Sequence, residues 1–251
     1  MVSVEFEAAW VPYRVIDYEL AVQPAVAFAA RPTGRGKVVA VHVKPDVDST
    51  PALRRFAQRA TVITNRTSAG ALQGSDVLAF VPDWKLLELA VRSARSGSLV
   101  AVEDPGSVLR GWAQAVGAVN LGTGGPTPDP ATDQVREAIE HIAFAGNNGW
   151  GRKAFGRTST QHVLRQLAEA GWTDGARIVG GVFALGKSAS SLGDLEELVA
   201  AAFGSAQARE FSFHQWTRAD EAKQCPVDSY PMVDAAAHEW VCRSCGHQER
   251  K

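Results

Sequence analysis

The sequence predicts an α/β protein: a parallel-sheet domain, then a small mainly helical domain, then a short cysteine-bearing tail. Three observations carry this. Between Lys37 and Gly122 short apolar runs alternate with amphipathic ones. The stretch GTGGPTPDP, Gly122 to Pro130, breaks that pattern with glycine and proline. All three cysteines of the chain fall between Cys225 and Cys245.

The apolar runs KVVAVHV, TVIT, DVLAFV, SLVAV and AVNL are short, β-branched and apolar throughout. Such runs suit strands covered by helices on both faces of a parallel sheet. The segments between them, PALRRFAQRA, WKLLELAVRSAR and SVLRGWAQAV, have helical spacing and suit right-handed crossovers. Residues 37–125 therefore read as a Rossmann-like domain. The segment 1–36, with VEFEAAW and AVAFAA, is expected to add an edge strand or two, with prolines at Pro12, Pro24 and Pro32 restricting its pairing.

Beyond the linker, residues 131–204 read as a small helical domain. Val135, Ile139 and Ile142 recur at helical spacing, and Val163, Leu164 and Leu167 follow a Thr158-Ser159-Thr160 cluster suited to N-capping. LGDLEELVAAAF makes another helix. ARIVGGVFALG fits either a helix weakened by Gly180 and Gly181 or a strand. FSFHQW, Phe211 to Trp216, alternates like a strand at the head of the 205–251 tail.

With 251 residues, 45% hydrophobic and 21% charged, the chain is long enough for one large or two modest cores. A formal net charge of −1 argues against a generally basic coat, so any polyanion contact must come from local clustering. No apolar run approaches the roughly 18 residues of a membrane span. The start, MVSVEFEAAW, is acidic where a secretory signal is basic, which reads as cytoplasmic. An odd cysteine count does not suit a disulfide framework.

In the tail, Cys242 and Cys245 form a CxxCG turn able to present two thiolates to one tetrahedral zinc. Cys225-Pro226 opens a second turn that resembles the CPxCG knuckle of zinc ribbons, with Asp228 where that pattern has cysteine. The resemblance covers this tail only. It implies one structural Zn2+ held by Cys225, Cys242 and Cys245, with Asp228, His238 or His247 as the fourth ligand. A tail this short cannot bury enough surface to fold unaided, which favours metal over a ribbon that has lost it.

From His141 to Ala168 the chain has no acidic residue but carries Arg152, Lys153, Arg157 and Arg165. Within this window GNNGWGRK is glycine-rich and offers backbone donors and cations to phosphates, with Trp150 for base stacking. Gln161, His162 and Arg165 read as outward groups of the following helix. The competing reading is a solvated face with Trp150 as a core plug.

A third constellation follows the strands. Asp46 and Asp48, then Asp83, then Glu103 and Asp104, come after successive strands and so fall at one sheet edge, where ligands of such folds bind. Converging carboxylates suit Mg2+ and phosphoryl chemistry; the same residues also suit the N-caps of the helices that follow. No GxGxxG follows the first strand, and GxxxxGK[ST] and GxSxG are absent from the sequence. These features favour a non-catalytic nucleic-acid-binding or assembly protein with a zinc tail. The alternatives are a Mg2+-dependent enzyme on nucleotides or nucleic acid, and a protein–protein adaptor within a complex.

Overall fold

The computed structural model describes residues 5–13, 18–67, 72–104, 109–204, 232–236, 239–242 and 248–250. In its first part the apolar runs become strands and the amphipathic runs become helices. The order is β1 (Glu7–Val11), α1 (Tyr18–Ala29), β2 (Lys37–Ala40), α2 (Pro51–Ala57), β3 (Thr61–Ile63), β4 (Asp76–Phe80), α3 (Trp84–Ser93) and β5 (Ser98–Val102). Then come α4 (Arg110–Val116), β6 (Val119–Asn120) and β7 (Gly125–Pro126). The seven strands form one sheet in the order β3-β2-β4-β5-β1-β6-β7, parallel except for the β6–β7 pair. This mostly parallel α/β sheet is consistent with a Rossmann-like domain.

The two central strands explain the continuous apolar runs. Every residue of β4 and β5 is buried, because helices cover both faces. On one face Val22, Ala25 and Ala29 of α1 and Leu53 and Phe56 of α2 join Val39, Leu78, Phe80, Val100 and Val102. The alternate residues, Val38, Val77 and Leu99, point the other way, and α3 contributes buried Leu86, Leu87 and Ala90.

The N-terminal segment departs from the expectation of edge strands. β1 lies inside the sheet, paired in parallel with both β5 and β6, and AVAFAA is the end of helix α1. Pro24 sits within that helix, half-buried, while its neighbours Val22 and Ala25 are fully buried. Core packing of the Val22-Ala25-Ala29 stripe outweighs the lost backbone hydrogen bond.

At the edge where β4 begins, Asp76 is only 1% exposed yet charged. Its carboxylate accepts hydrogen bonds from Lys37 Nζ at 2.7 Å, from Ser98 Oγ at 2.8 Å and from the Thr33 hydroxyl. Burial pushes this carboxyl up, but the hydrogen bonds from Lys37, Thr33 and Ser98 outweigh it and hold it below its ordinary value.

By internal contacts the described residues divide into two units, one holding those from 5 to 109 with 116–127, the other holding 110–115 and those from 128 onward. In the second, α5 (Asp133–Ala145), α6 (Phe155–Glu169), α7 (Gly175–Ala184) and α8 (Ala189–Phe203) form a helical cluster. ARIVGGVFALG is thus helical. Its glycines serve packing: a Cβ at Gly180 would lie 2.1 Å from the Trp112 nitrogen, and one at Gly111 would lie 1.8 Å from the Ala176 carbonyl oxygen, so α4 and α7 touch backbone to backbone.

An ion-pair network ties the segment before α5 to α7. Asp129 accepts two hydrogen bonds from buried Arg177, at 2.8 and 3.0 Å, and lies 3.5 Å from Arg136. Asp174 caps α7 by accepting from the Arg177 backbone N–H at 3.0 Å and also accepts from Arg110 at 2.9 Å. Burial pushes Asp129 up, but the hydrogen bonds from Arg177 and the Ala131 N–H, with the nearby cations, hold it below its ordinary value.

In the tail, β8 (Met232–Ala236), β9 (Glu239–Cys242) and β10 (Gln248–Arg250) form an antiparallel sheet in the order β10-β9-β8. FSFHQW lies outside the described residues. Among the described residues no helix is long and apolar enough to cross a membrane.

Candidate nucleic-acid interface

The basic window is built on the α5–α6 pair, and its geometry begins with Trp150. Gly149, at φ 78°, makes a turn that only glycine adopts readily, and it delivers the indole into the helical core. Trp150 is fully buried and donates from Nε1 to Thr160 Oγ1 at 3.0 Å. A Cβ at Gly146 would fall 1.9 Å from the ring, so this glycine is needed to seat it. The expectation that Trp150 stacks on bases is therefore corrected: the glycines of GNNGWGRK admit a core tryptophan instead of exposing one.

The start of α6 shifts for the same reason. The helix begins at Phe155, with Ala154 as an N-cap that makes no side-chain hydrogen bond. The Thr158-Ser159-Thr160 hydroxyls that suggested a cap lie within the first turns. Thr160 serves Trp150, and Ser159 Oγ meets His141 Nε2 of α5 at 3.0 Å. Arg157 is accordingly inside the helix, half-buried, donating to the Trp150 carbonyl at 2.9 Å. It braces the loop and is a weaker candidate for phosphate than its neighbours.

Arg152, Lys153 and Arg165 are exposed, and among the described residues none of them forms an ion pair. Gln161 and His162 are exposed on the same helix. Two large rings that no sequence motif marks accompany them: Phe144, 72% exposed, and Phe155, 97% exposed. Most exposed apolar residues need no explanation, but two phenyl rings on one helix pair beside unpaired cations are an unusual surface. The surface has limits. Exposed Glu137 and Glu140 border it on α5, exposed Glu169 ends it on α6, and Asp194 of α8 lies close to Gly151, with Oδ2 3.7 Å from where a Cβ there would stand.

The carboxylates of the sheet edge do follow parallel strands, and Asp46, Asp48, Asp83 and Glu103 are engaged locally. Asp46 accepts from the Val43 N–H at 3.0 Å, closing a 3-10 turn at Lys44–Asp48. Asp48 pairs with Arg54 at 2.7 Å on the surface, while Thr50, with Pro51 after it, caps α2. Asp83 caps α3 through the Leu86 N–H at 2.8 Å. Glu103 is 7% exposed and accepts from the Tyr13 and Leu109 backbone N–H groups at 2.8 and 2.7 Å. Asp104 follows it, half-buried. Among the described residues no group of three or more His, Cys, Asp or Glu side chains is arranged to hold a metal ion.

The order of connections reverses between β2, whose chain continues to the outer strand β3, and β4, whose chain continues inward to β5. That crevice is where open α/β sheets bind ligands. It contains His42, whose Nε2 lies 2.8 Å from the Val81 carbonyl oxygen, and Val81 itself at φ 51°, a strained angle for a β-branched residue. Neither residue carries a sequence motif.

Of the tail ligands, Cys242 is the last residue of β9. Cys225, Asp228, His238, Cys245 and His247 lie outside the described residues. Comparison with protein-family models, curated proteins and solved structures returns no match for this chain.

Proposed function

We propose that the chain is a non-catalytic nucleic-acid-binding protein whose contact surface is the exposed side of α5–α6, with Arg152, Lys153 and Arg165 meeting phosphates. One observation carries this reading: from His141 to Ala168 there is no carboxylate, and three exposed cations there have no ion-pair partner among the described residues. Two cations that serve the fold are paired with carboxylates, Arg177 with Asp129 and Lys37 with Asp76, and Arg157 is spent on the Trp150 carbonyl. Lys44, Arg59, Arg66 and Lys85 are also exposed without an ion pair among the described residues, so it is the stretch free of carboxylates that sets this window apart. Polyanion binding draws on such local positive potential through counterion release. The α/β unit acts as scaffold, and the tail is proposed to hold one structural zinc through Cys225, Cys242 and Cys245 with Asp228.

The test is a fluorescence titration with labelled single- and double-stranded DNA and RNA at two salt concentrations. Binding that weakens with salt, and that the double charge reversal Arg152→Glu with Lys153→Glu abolishes, supports the reading. Absence of binding at low salt to every form, or full binding by the reversed variant, rejects it.

A further inference from the structure

We infer that the ligand of this surface is single-stranded and that two of its bases stack on Phe144 and Phe155. The inference rests on the nucleic-acid reading above and adds the class of ligand. Two contacts fix how α5 and α6 lie against each other. His141 meets Ser159, and a Cβ at Gly156 would fall 1.9 Å from the Ala145 carbonyl oxygen. The residue numbers of both pairs run in opposite directions along the two helices, so the helices are antiparallel at this crossing. Phe144 and Phe155, each next to the Ala145–Gly156 contact, therefore stand abreast. Both lie on the side that also exposes His141, one turn before Phe144, and His162, two turns after Phe155.

The two rings are not part of the helical core, which is filled by Val135, Ile139, Ile142, Trp150, Leu164 and Leu167. A duplex hides its base faces and offers such rings only groove edges and backbone unless a base step is unstacked at a cost. A single strand offers flat π faces and phosphates together, and aromatic rings beside cations are the means by which proteins hold it. Exposed Arg152 and Lys153 lie on the loop that leads directly into Phe155, which places phosphate contacts next to the stacking positions. Between His141 and Ala168 the chain has no carboxylate of its own, so the positive side of the surface lies toward Arg152 and Lys153, away from Glu137 and Glu140 on the Phe144 face of α5. Asp194 approaches the loop at Gly151. Uncovered phenyl rings alone would suit a protein partner as well, and the cations favour nucleic acid.

The experiment compares three probes on the full chain by anisotropy: oligo(dT), an abasic strand of the same length, and a blunt duplex. The variants are Phe144→Ala with Phe155→Ala, and Phe144→Tyr with Phe155→Tyr. Wild type is expected to bind oligo(dT) more tightly than the abasic strand, on the order of tenfold for each stacked base. The alanine variant is expected to lose that preference while keeping its affinity for the abasic strand and its salt dependence; the tyrosine variant is expected to regain it. Because both rings are largely exposed, the variants are expected to melt as wild type does.

Equal wild-type affinity for oligo(dT) and the abasic strand overturns the inference and leaves the phosphate surface standing. So does an alanine variant that still prefers oligo(dT). No binding to any probe defeats the underlying reading and the inference with it. A wild-type dimer seen by gel filtration, abolished in the alanine variant while oligo(dT) binding is unchanged, overturns the inference by assigning the rings to a contact between copies.

Discussion

Asp129→Asn isolates one charge in the helical unit at nearly constant volume. Asp129 holds Arg177 with two hydrogen bonds, at 2.8 and 3.0 Å, and the Arg177 side chain is only 5% exposed. Another nitrogen of that guanidinium, Nη1, is buried without a hydrogen-bond partner among the described residues, so the ion relies on Asp129. Hydrogen bonds to charged groups contribute about 1.5–3 kcal/mol each, and removing one partner of a buried pair costs about 3–5 kcal/mol. Asp129 is 20% exposed, so solvent screening brings the expectation to about 3 kcal/mol. At about 2–4 °C per kcal/mol for a chain of this size, the melting temperature falls by roughly 6–12 °C.

The pH dependence has a definite sign. The folded carboxyl lies below its ordinary value, so its stabilisation is complete above the unfolded pKa, about 3.9, and is lost as pH falls through the lower folded value. The gap between wild type and variant should therefore be full at pH 7 and close under strong acid. Differential scanning calorimetry across pH measures it. Asp133→Asn is the control, since Asp133 pairs with Arg136 at 2.8 Å but is 94% exposed, and its transition should stay where wild type's is. An Asp129→Asn melt within 2 °C of wild type, or a gap that widens in acid, would refute the reasoning.

Three further outcomes are expected. Asp76→Asn removes the charge that Lys37 meets at 2.7 Å in the α/β unit and should destabilise it by about 2–3 kcal/mol at pH 7, with the difference again vanishing in acid; urea melts read it. Trp150→Ala empties the core of the helical unit and should cost about 3–5 kcal/mol by the same melts, whereas Trp150→Phe, losing chiefly the hydrogen bond to Thr160, should cost clearly less. Purified protein should contain one zinc per chain by elemental analysis, lost on Cys242→Ser and lowered more by Asp228→Ala than by His247→Ala.

The strands were legible because both faces of the sheet are covered, so DVLAF and SLVAV appear in the sequence as unbroken apolar runs. β1 was legible as a strand but its place was not, since nothing in EAAWV distinguishes an edge from the interior of a sheet. ARIVGGVFALG stayed ambiguous because glycine propensity argues against the helix that close packing at Gly180 requires. At the candidate site the cations could be read from the missing carboxylates, but the aromatics could not. Trp150 and the two phenylalanines exchanged roles: the ring expected outside fills the core, and the rings beside it stand in solvent. Starting α6 at Thr158 left Phe155 off the helix. Starting it at Phe155 would have placed that ring opposite Leu164 and so outside the core.

The central claim, that unpaired cations on α5–α6 hold nucleic acid, is tested most directly by the salt dependence of oligo(dT) affinity in wild type and in the triple variant Arg152→Ala, Lys153→Ala, Arg165→Ala. At about 0.7 counterion released per phosphate contact on a single strand, three lost contacts should flatten the slope of log K against log salt by roughly 2 units while the melting curve stays unchanged. Parallel lines of equal affinity for the two proteins would contradict the claim.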